Sequence, residues 1–519
     1  MTWSDRGDRI GEIAVSGALA LVAVLVVSVA TLAVGVVGLR ISRTTSDFYV
    51  ASRTVAPALN ASAISGEYLS AASFLGVAGL VLLRGADALW YPVGWTAGYL
   101  VLLVFVAAPL RRSHAYTLPD FAELRVESLA ARRVASTLVV LIGVLYLVPQ
   151  FEGAGLTLRA LTGAPSWIGA AVVAVVVLVN VTAGGMRSIT ITQAFQYWLK
   201  LFALLFPLAL LLVHWGGHAA GVGARLNARD WLEPMQGPHA AYLTYSLILA
   251  TFLGTMGLPH VVVRFYTNPD GGSARRTTLA VLALLSVFYL LPTMYGVLGR
   301  VYAPDLIAGG HADSVVLELP GRVFTGAGGD LLTALLGAGA FAAFLSTSSG
   351  LVVSIGGVIG QDLLGHRFDG VTSFRLAGTA GTVLTLLVTV ASSGLAVAHA
   401  VELAFSVAAS TFCPLLLLGI WWRGLTARGA IAGMVVGGAL SASAVLAVTV
   451  GVAPHGWVGA VLSQPALCTV PVAFGTMIVV SLLTRRRLPV HLARTMVRLH
   501  TPEDVDLDRG PFHPERARG

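Results

Sequence analysis

The sequence predicts an all-α polytopic membrane protein with thirteen transmembrane helices, on three observations. The 519-residue chain is 56% hydrophobic and 11% charged, whereas soluble domains carry roughly 25% charged residues. Its mean hydropathy is +0.82, too apolar for a surface that water must dissolve. Thirteen apolar runs are each long enough to cross a bilayer, because about 30 Å of hydrocarbon takes roughly 20 residues at 1.5 Å each. Between those runs the arginines alternate as a fixed topology requires.

In chain order the runs fall at 13–39, 58–81, 88–109, 134–158, 166–184, 189–214, 240–266, 278–301, 330–357, 375–395, 398–421, 429–451 and 463–484. The first follows Asp5, Arg6, Asp8, Arg9 and Glu12 without a cleavage-site pattern, so it reads as a retained helix. With both tails set aside, sixteen arginines fall on one side and six on the other. Arg111, Arg112, Arg125, Arg132 and Arg133 form the densest group of the richer side. The positive-inside rule then puts the N-terminus outside the cell membrane and the C-terminus in the cytoplasm. All the arginines lie in loops or at helix ends, and the single lysine, Lys200, does not.

A net charge of +8 raises nucleic acid as a partner. The basic residues are spread over many short loops, however, and topology accounts for them. Cys413 and Cys468 sit inside apolar runs and read as small buried hydrophobes. Neither a nucleophile–base–acid set nor a metal cluster nor a phosphate loop appears among the spans, which argues against an enzyme. A sensor of transporter-like build would carry an appended signalling domain. The 485–519 tail, basic and then acidic at Glu503, Asp504, Asp506 and Asp508, is short and reads as a flexible cytoplasmic segment.

Two spans are not simple. Residues 60–76 of the second are crowded with small and hydroxyl side chains and carry Glu67, and residues 254–260 of the seventh read Gly-Thr-Met-Gly-Leu-Pro-His. Two glycines and a proline there remove helix propensity and a backbone donor. Irregular backbone survives in a bilayer only where protein or a water-filled cavity surrounds it. The two segments lie five spans apart, hence in opposite orientation, which is the pointer to an inverted-repeat transporter. Small residues also let helices approach closely, so packing alone is the competing explanation. In the ninth span, Ala343, Ser346 and Thr347 share one helix face, and neutral oxygens of that kind suit a hard cation.

The stretches Tyr116-Thr-Leu-Pro-Asp120, Gly184-Gly-Met186, Gly257-Leu-Pro-His-Val-Val-Val-Arg264 and Ala343-x-x-Ser-Thr347 resemble the sodium:solute symporter family over nearly the whole chain. Residues 66–76 and 254–260 are similar to the matching segments of its cation/acetate symporters. The resemblance implies a leucine-transporter-like core of five plus five inverted helices. The first repeat would span 58–214 and the second 240–421. Residues 1–39 would be an extra helix, 429–484 two C-terminal helices and 485–519 the tail. It implies sodium as coupling ion, with no other cofactor, held by the carbonyls of Gly66, Leu69 and Ala343 and the hydroxyls of Ser346 and Thr347. It also implies sodium-driven uptake of a short monocarboxylate such as acetate, propionate or pyruvate; the alternatives are a proton-coupled monocarboxylate symporter, a sodium symporter for another small solute and, more remotely, a solute channel. Some members place Asp at the position of Tyr68. Here the acid falls one residue earlier, so its role is not carried across.

Glu67, Tyr68, Ser70, Trp95, Gln150, Lys200, Gly254, Thr255 and Gly257 are the candidates for substrate contact or coupling. Glu67 would tune the cation site, gate it, or serve as a protonated acid. Lys200 would pair with a carboxylate (the substrate's or that of Glu67), stand in for a second cation, or snorkel to an interface. Phe151 and Glu152 are expected beside Gln150 at the cavity, and Trp90, Tyr91 and Trp95 form either its apolar wall or an interfacial belt. His260 and Arg264 are expected at a cytoplasmic gate or a helix end. Glu402 is left open between the bundle and a loop.

Overall fold

The computed structural model describes residues 3–39, 51–217, 229–364, 368–391, 397–452 and 455–503. Among these residues every regular element is helical. A backbone in hydrocarbon must satisfy its own polar groups, and a helix does so within one segment. Besides four short helices in the connections (Arg229–Leu232, Asp305–Ala308, Val315–Val323 and Trp457–Ser463), the helices are α1 (Trp3–Leu39), α2 (Pro57–Tyr68), α3 (Val77–Arg84), α4 (Trp90–Val101), α5 (Ala107–Arg112), α6 (Leu118–Val126), α7 (Leu129–Thr162) and α8 (Ser166–Gly217). After these come α9 (Ala240–Gly257), α10 (Pro259–Val263), α11 (Gly271–Tyr302), α12 (Ala327–Ile359), α13 (Gly370–Ala391), α14 (Val397–Trp421), α15 (Ala427–Thr449), α16 (Ala466–Leu483) and α17 (Leu492–His500).

Eleven helical stretches among the described residues are long and apolar enough to cross a membrane, where the sequence suggests thirteen. The difference lies in two stretches that run on past one crossing: Ala72–Arg112, of 41 residues, and Ser166–Gly216, of 51. Each bends at a glycine with positive φ, Gly85 (57°) and Gly185 (57°), a conformation that L side chains avoid.

The middle of the molecule is made by α12 and α14, whose apolar windows are 94% and 89% buried, against 33% for α1 and α16. Helix α12 packs against α1, α2, α7, α8 and α13. Its small residues make that possible: a Cβ at Gly339 would press on Ala203 and Phe74, and one at Gly350 would collide with the Glu67 carboxylate. Cys413 is buried in α14 as expected, but Cys468 is exposed. It lies on the peripheral α16, where an apolar run faces outward rather than into protein.

The arginine-rich loops meet at one end of the bundle. Arg111 donates to the carbonyls of Asn268 and Pro269 (both 2.5 Å), and Arg125 to those of Gly419 (2.6 Å) and Trp422 (2.8 Å). Arg132 bonds Asp120, Glu123 and Asp362 within 2.8 Å. The first part of the tail, expected to be flexible, is ordered here. Helix α17 buries Met496 and Leu499, and Glu503 accepts from the Gly271 amide (2.7 Å). The apolar spacing of Leu492, Met496 and Leu499 gives it a face to dock.

Candidate functional site

Helix α2 stops at Tyr68 because Leu69 leaves the helical region (φ −75°, ψ 85°). The chain resumes through a π-turn, Ala72–Gly76, into α3. The amide of Ala71 at this break is taken by Gln150 Oε1 of α7 (3.0 Å). The second interruption falls at Leu258 (φ −72°, ψ 117°), between α9 and α10, with Pro259 in the first turn of the new helix. Proline suits that position, since its missing N–H has no partner there anyway. Both segments singled out from sequence are therefore discontinuous.

Freed from its ladder, the α2 backbone turns oxygens toward α8 and α12. Lys200 of α8 meets them: Nζ donates to Gly66 O (2.5 Å), Leu69 O (2.8 Å) and Ser346 Oγ (3.0 Å). The Ser346 hydroxyl lies against Gly66 O (2.6 Å) and Ala343 O (3.1 Å). Thr347 Oγ1 donates to Glu67 O (2.6 Å). The side chain does not snorkel; Lys200 is fully buried. Its three N–H donors face three oxygens, which is the full capacity of an ammonium.

Glu67 points the other way around α2 and pairs with Arg264, not Lys200. Arg264 Nε donates to Glu67 Oε2 (2.5 Å), Nη1 to Thr190 Oγ1 (2.8 Å), and Nη2 to Gln193 Oε1. Gln193 also donates to Ser346 O (2.7 Å), so one amide joins the ion pair to the Lys200 niche. Both partners of the pair are buried, at 1% and 2% side-chain exposure. Arg264 thus sits at a helix end, as its sequence position suggests, but turned into the protein.

Between the two breaks lies a cluster of rings. Phe405 of α14 packs against Tyr68 (6.3 Å between centroids), Trp95 (5.8 Å) and Tyr146 (5.9 Å). Tyr99 stands edge-on to Tyr68 (4.9 Å), and His260 edge-on to Tyr146 (5.1 Å). Tyr68 Oη lies 3.2 Å from Trp95 O and 2.8 Å from Thr255 Oγ1. A Cβ at Gly254 or Gly257 would strike the α14 carbonyls of Phe405 or Ala408, so these glycines let α9 approach α14. Trp95 Nε1, Tyr99 Oη and both His260 ring nitrogens are buried without a hydrogen-bond partner among the described residues. Buried polar groups are nearly always paired, so these atoms, unpartnered among the described residues, are free to bond a bound molecule.

Other residues flank this centre or lie apart from it, and Tyr91 stands edge-on to Trp95 (5.6 Å between centroids). Tyr91 donates to Glu402 Oε2 (2.7 Å), which places Glu402 inside the bundle, buried against α4. Trp90 is only partly buried. Phe151 and Glu152 line a cleft of about 850 Å³ together with Asp313 and Glu318, and Tyr68, Trp95, Tyr99, Tyr146 and Phe405 are not in its lining. Ser70 is buried beside the first break. Sequence reasoning passed over Tyr99, Tyr146, Phe405 and Tyr289, which stacks on Trp95 (5.9 Å between centroids), each lying within an apolar run where a ring resembles lipid-facing or core packing.

Comparison with known proteins now bears on this arrangement. Residues 48–437 match the sodium:solute symporter family. The chain is 31% identical over 459 residues to the uncharacterized symporter YwcA of Bacillus subtilis, covering 83% of this chain and 88% of that one. It is 30% identical over 487 residues to a monocarboxylic acid transporter of Corynebacterium glutamicum, covering 84% and 86%. Among solved structures, a Na+-coupled sialic acid symporter in a substrate-bound outward-open state aligns with a TM-score of 0.70 at 16% identity, over 89% of this chain and 98% of that one. The nucleobase-cation-symport-1 transporter Mhp1 aligns with a TM-score of 0.56 at 13% identity, over 87% and 98%. The last two share the fold.

Proposed function

From the premise that this chain belongs to the sodium:solute symporter family, we propose that it carries a short monocarboxylate inward by alternating access, driven by a cation gradient. It is a multi-pass membrane transporter and not an enzyme. The observation that carries the substrate class is the set of unpartnered donors, Trp95 Nε1, Tyr99 Oη and the His260 ring, within a wall of aromatic carbon. A carboxylate accepts several hydrogen bonds, and a short alkyl group prefers ring faces to water. The name of the Corynebacterium relative points the same way.

In this reading the two long stretches divide at Gly85 and Gly185 into thirteen crossings, with inverted repeats at 58–214 and 240–421. The N-terminus lies outside and the arginine-rich end faces the cytoplasm. The carboxylate binds between the breaks at Leu69 and Leu258, touching Tyr68, Trp95, Thr255 and His260. Rearrangement of α2 and α9–α10 against α7, α8 and α12 exposes it to each side in turn. Sodium, the coupling ion of the family, is the first reading of the driving force. A proton gradient is the second, favoured by the ammonium that already occupies oxygens of sodium-binding type.

Labelled acetate uptake into proteoliposomes separates these readings. Uptake that concentrates acetate under an inward sodium gradient supports the first. Concentration under an imposed proton gradient alone supports the second. Failure of acetate, propionate and pyruvate alike to accumulate under either gradient would overturn the monocarboxylate assignment.

A further inference from the structure

The oxygens expected to hold sodium are occupied by the chain itself. Three of the five expected ligand groups (Gly66 O, Leu69 O and Ser346 Oγ) bind Lys200 Nζ at 2.5, 2.8 and 3.0 Å. A metal ion drawing on the same oxygens would lie about one bond length from the ammonium, in a region that excludes water. Two unit charges so placed repel strongly at low dielectric, and the space is already filled.

We propose that Lys200 is a tethered cation that replaces sodium between α2 and α12, so that sodium does not bind there in this protein. The inference rests on the family reading for the expectation of a cation at this place, and departs from it over which cation. Charge balance leads to the same conclusion. The ionisable side chains buried around the niche are Lys200, Glu67 and Arg264, which sum to +1 in their charged forms. Sodium added to these would raise the buried charge to +2. With Lys200 removed, Glu67 and Arg264 still pair, and a bound sodium would take over the charge that Lys200 contributes.

The side chain is held in place for this role. Gln193, Tyr197 and Lys200 recur at one face of α8; a Cβ at Gly66 would collide with Gln193 O, so the two helices touch there. Gln193 Nε2 fixes Ser346 O (2.7 Å), and Tyr197 Oη is anchored on Leu284 O (3.2 Å). Lys200 joins α2 to α12 as a bound ion would. Any sodium that drives this transporter must therefore bind elsewhere.

The test compares purified wild type with Lys200→Ala and with Lys200→Ser, which keeps a small polar group if the alanine variant folds poorly. Binding of radioactive sodium and thermal stability in sodium against potassium chloride are read without substrate. The expected result is that at least one variant gains saturable sodium binding at least about tenfold above wild type at this site, with a sodium-specific rise in Tm. Adding Ser346→Ala should abolish both gains. Sodium binding to wild type that Ser346→Ala/Thr347→Ala removes would overturn the proposal. So would folded variants that gain no sodium response. Because neither readout uses a carboxylate, a failure of the monocarboxylate assignment leaves this result intact.

Discussion

Two buried cations, Lys200 and Arg264, bond to the same broken helix, α2, from different sides and are satisfied in different ways. Arg264 has a carboxylate, a hydroxyl and an amide oxygen; Lys200 has two carbonyls and a hydroxyl, with no anion bonded to it among the described residues. An ion pair cannot lose one member without stranding the other. A niche of neutral oxygens has no such obligation, since the Ser346 hydroxyl still donates to Gly66 O and the carbonyls can face another cation. The comparison distinguishes a structural charge from an exchangeable one.

The largest effect should follow from removing Arg264. Arg264→Met leaves Glu67 buried and unpaired, at a cost of about 3–5 kcal/mol, while Glu67→Met/Arg264→Met should recover much of it. Thermal unfolding in detergent measures both, and equal losses in the single and double variants would deny that the pair is coupled. Lys200→Met should cost less, about 1–3 kcal/mol, because Ser346 still reaches Gly66 O. A loss as large as that of Arg264→Met would erase the distinction drawn here.

Smaller effects test the groups around these two. Tyr91→Phe strips Glu402 of its 2.7 Å donor and should lower stability by about 1–2 kcal/mol, measurable by the same unfolding assay. The smallest effect concerns pH at the arginine-rich end. His114 bonds Arg53 (2.9 Å), and burial, with Arg498, Arg53 and Arg111 nearby, pushes its pKa down to about 4. The folded state thus binds this proton less readily than the unfolded chain, whose histidine titrates near 6.5. The stability it contributes is complete above about pH 6.5 and fades as pH falls toward 4. His114→Gln should flatten that part of the pH–stability curve. An unchanged slope would remove His114 from the account.

The fold was legible because lipid imposes one rule on every span, and hydropathy reports it directly. The breaks were legible too: Gly254, Gly257 and Pro259 weaken the helix by their own chemistry, and residues 60–76 are conspicuous for small side chains. Partnerships were not. Glu67 and Arg264 are 197 positions apart, and no local pattern favours that pairing over Glu67 with Lys200. The ring cluster escaped notice because Tyr99, Tyr146 and Phe405 read as ordinary apolar positions until α4, α7 and α14 are folded together. The site of Lys200 could be narrowed to a buried place, but its oxygens come from residues 66, 69 and 346.

Equilibrium binding of acetate to the purified protein, followed by calorimetry for wild type and Trp95→Phe, tests the central claim most directly. The ring is kept and one donor, Nε1–H, is lost. The account predicts saturable binding to wild type, weakened about tenfold in the variant, the worth of one hydrogen bond to a charged group. Identical affinities, or the absence of binding by acetate, propionate and pyruvate to a folded wild type, would contradict it.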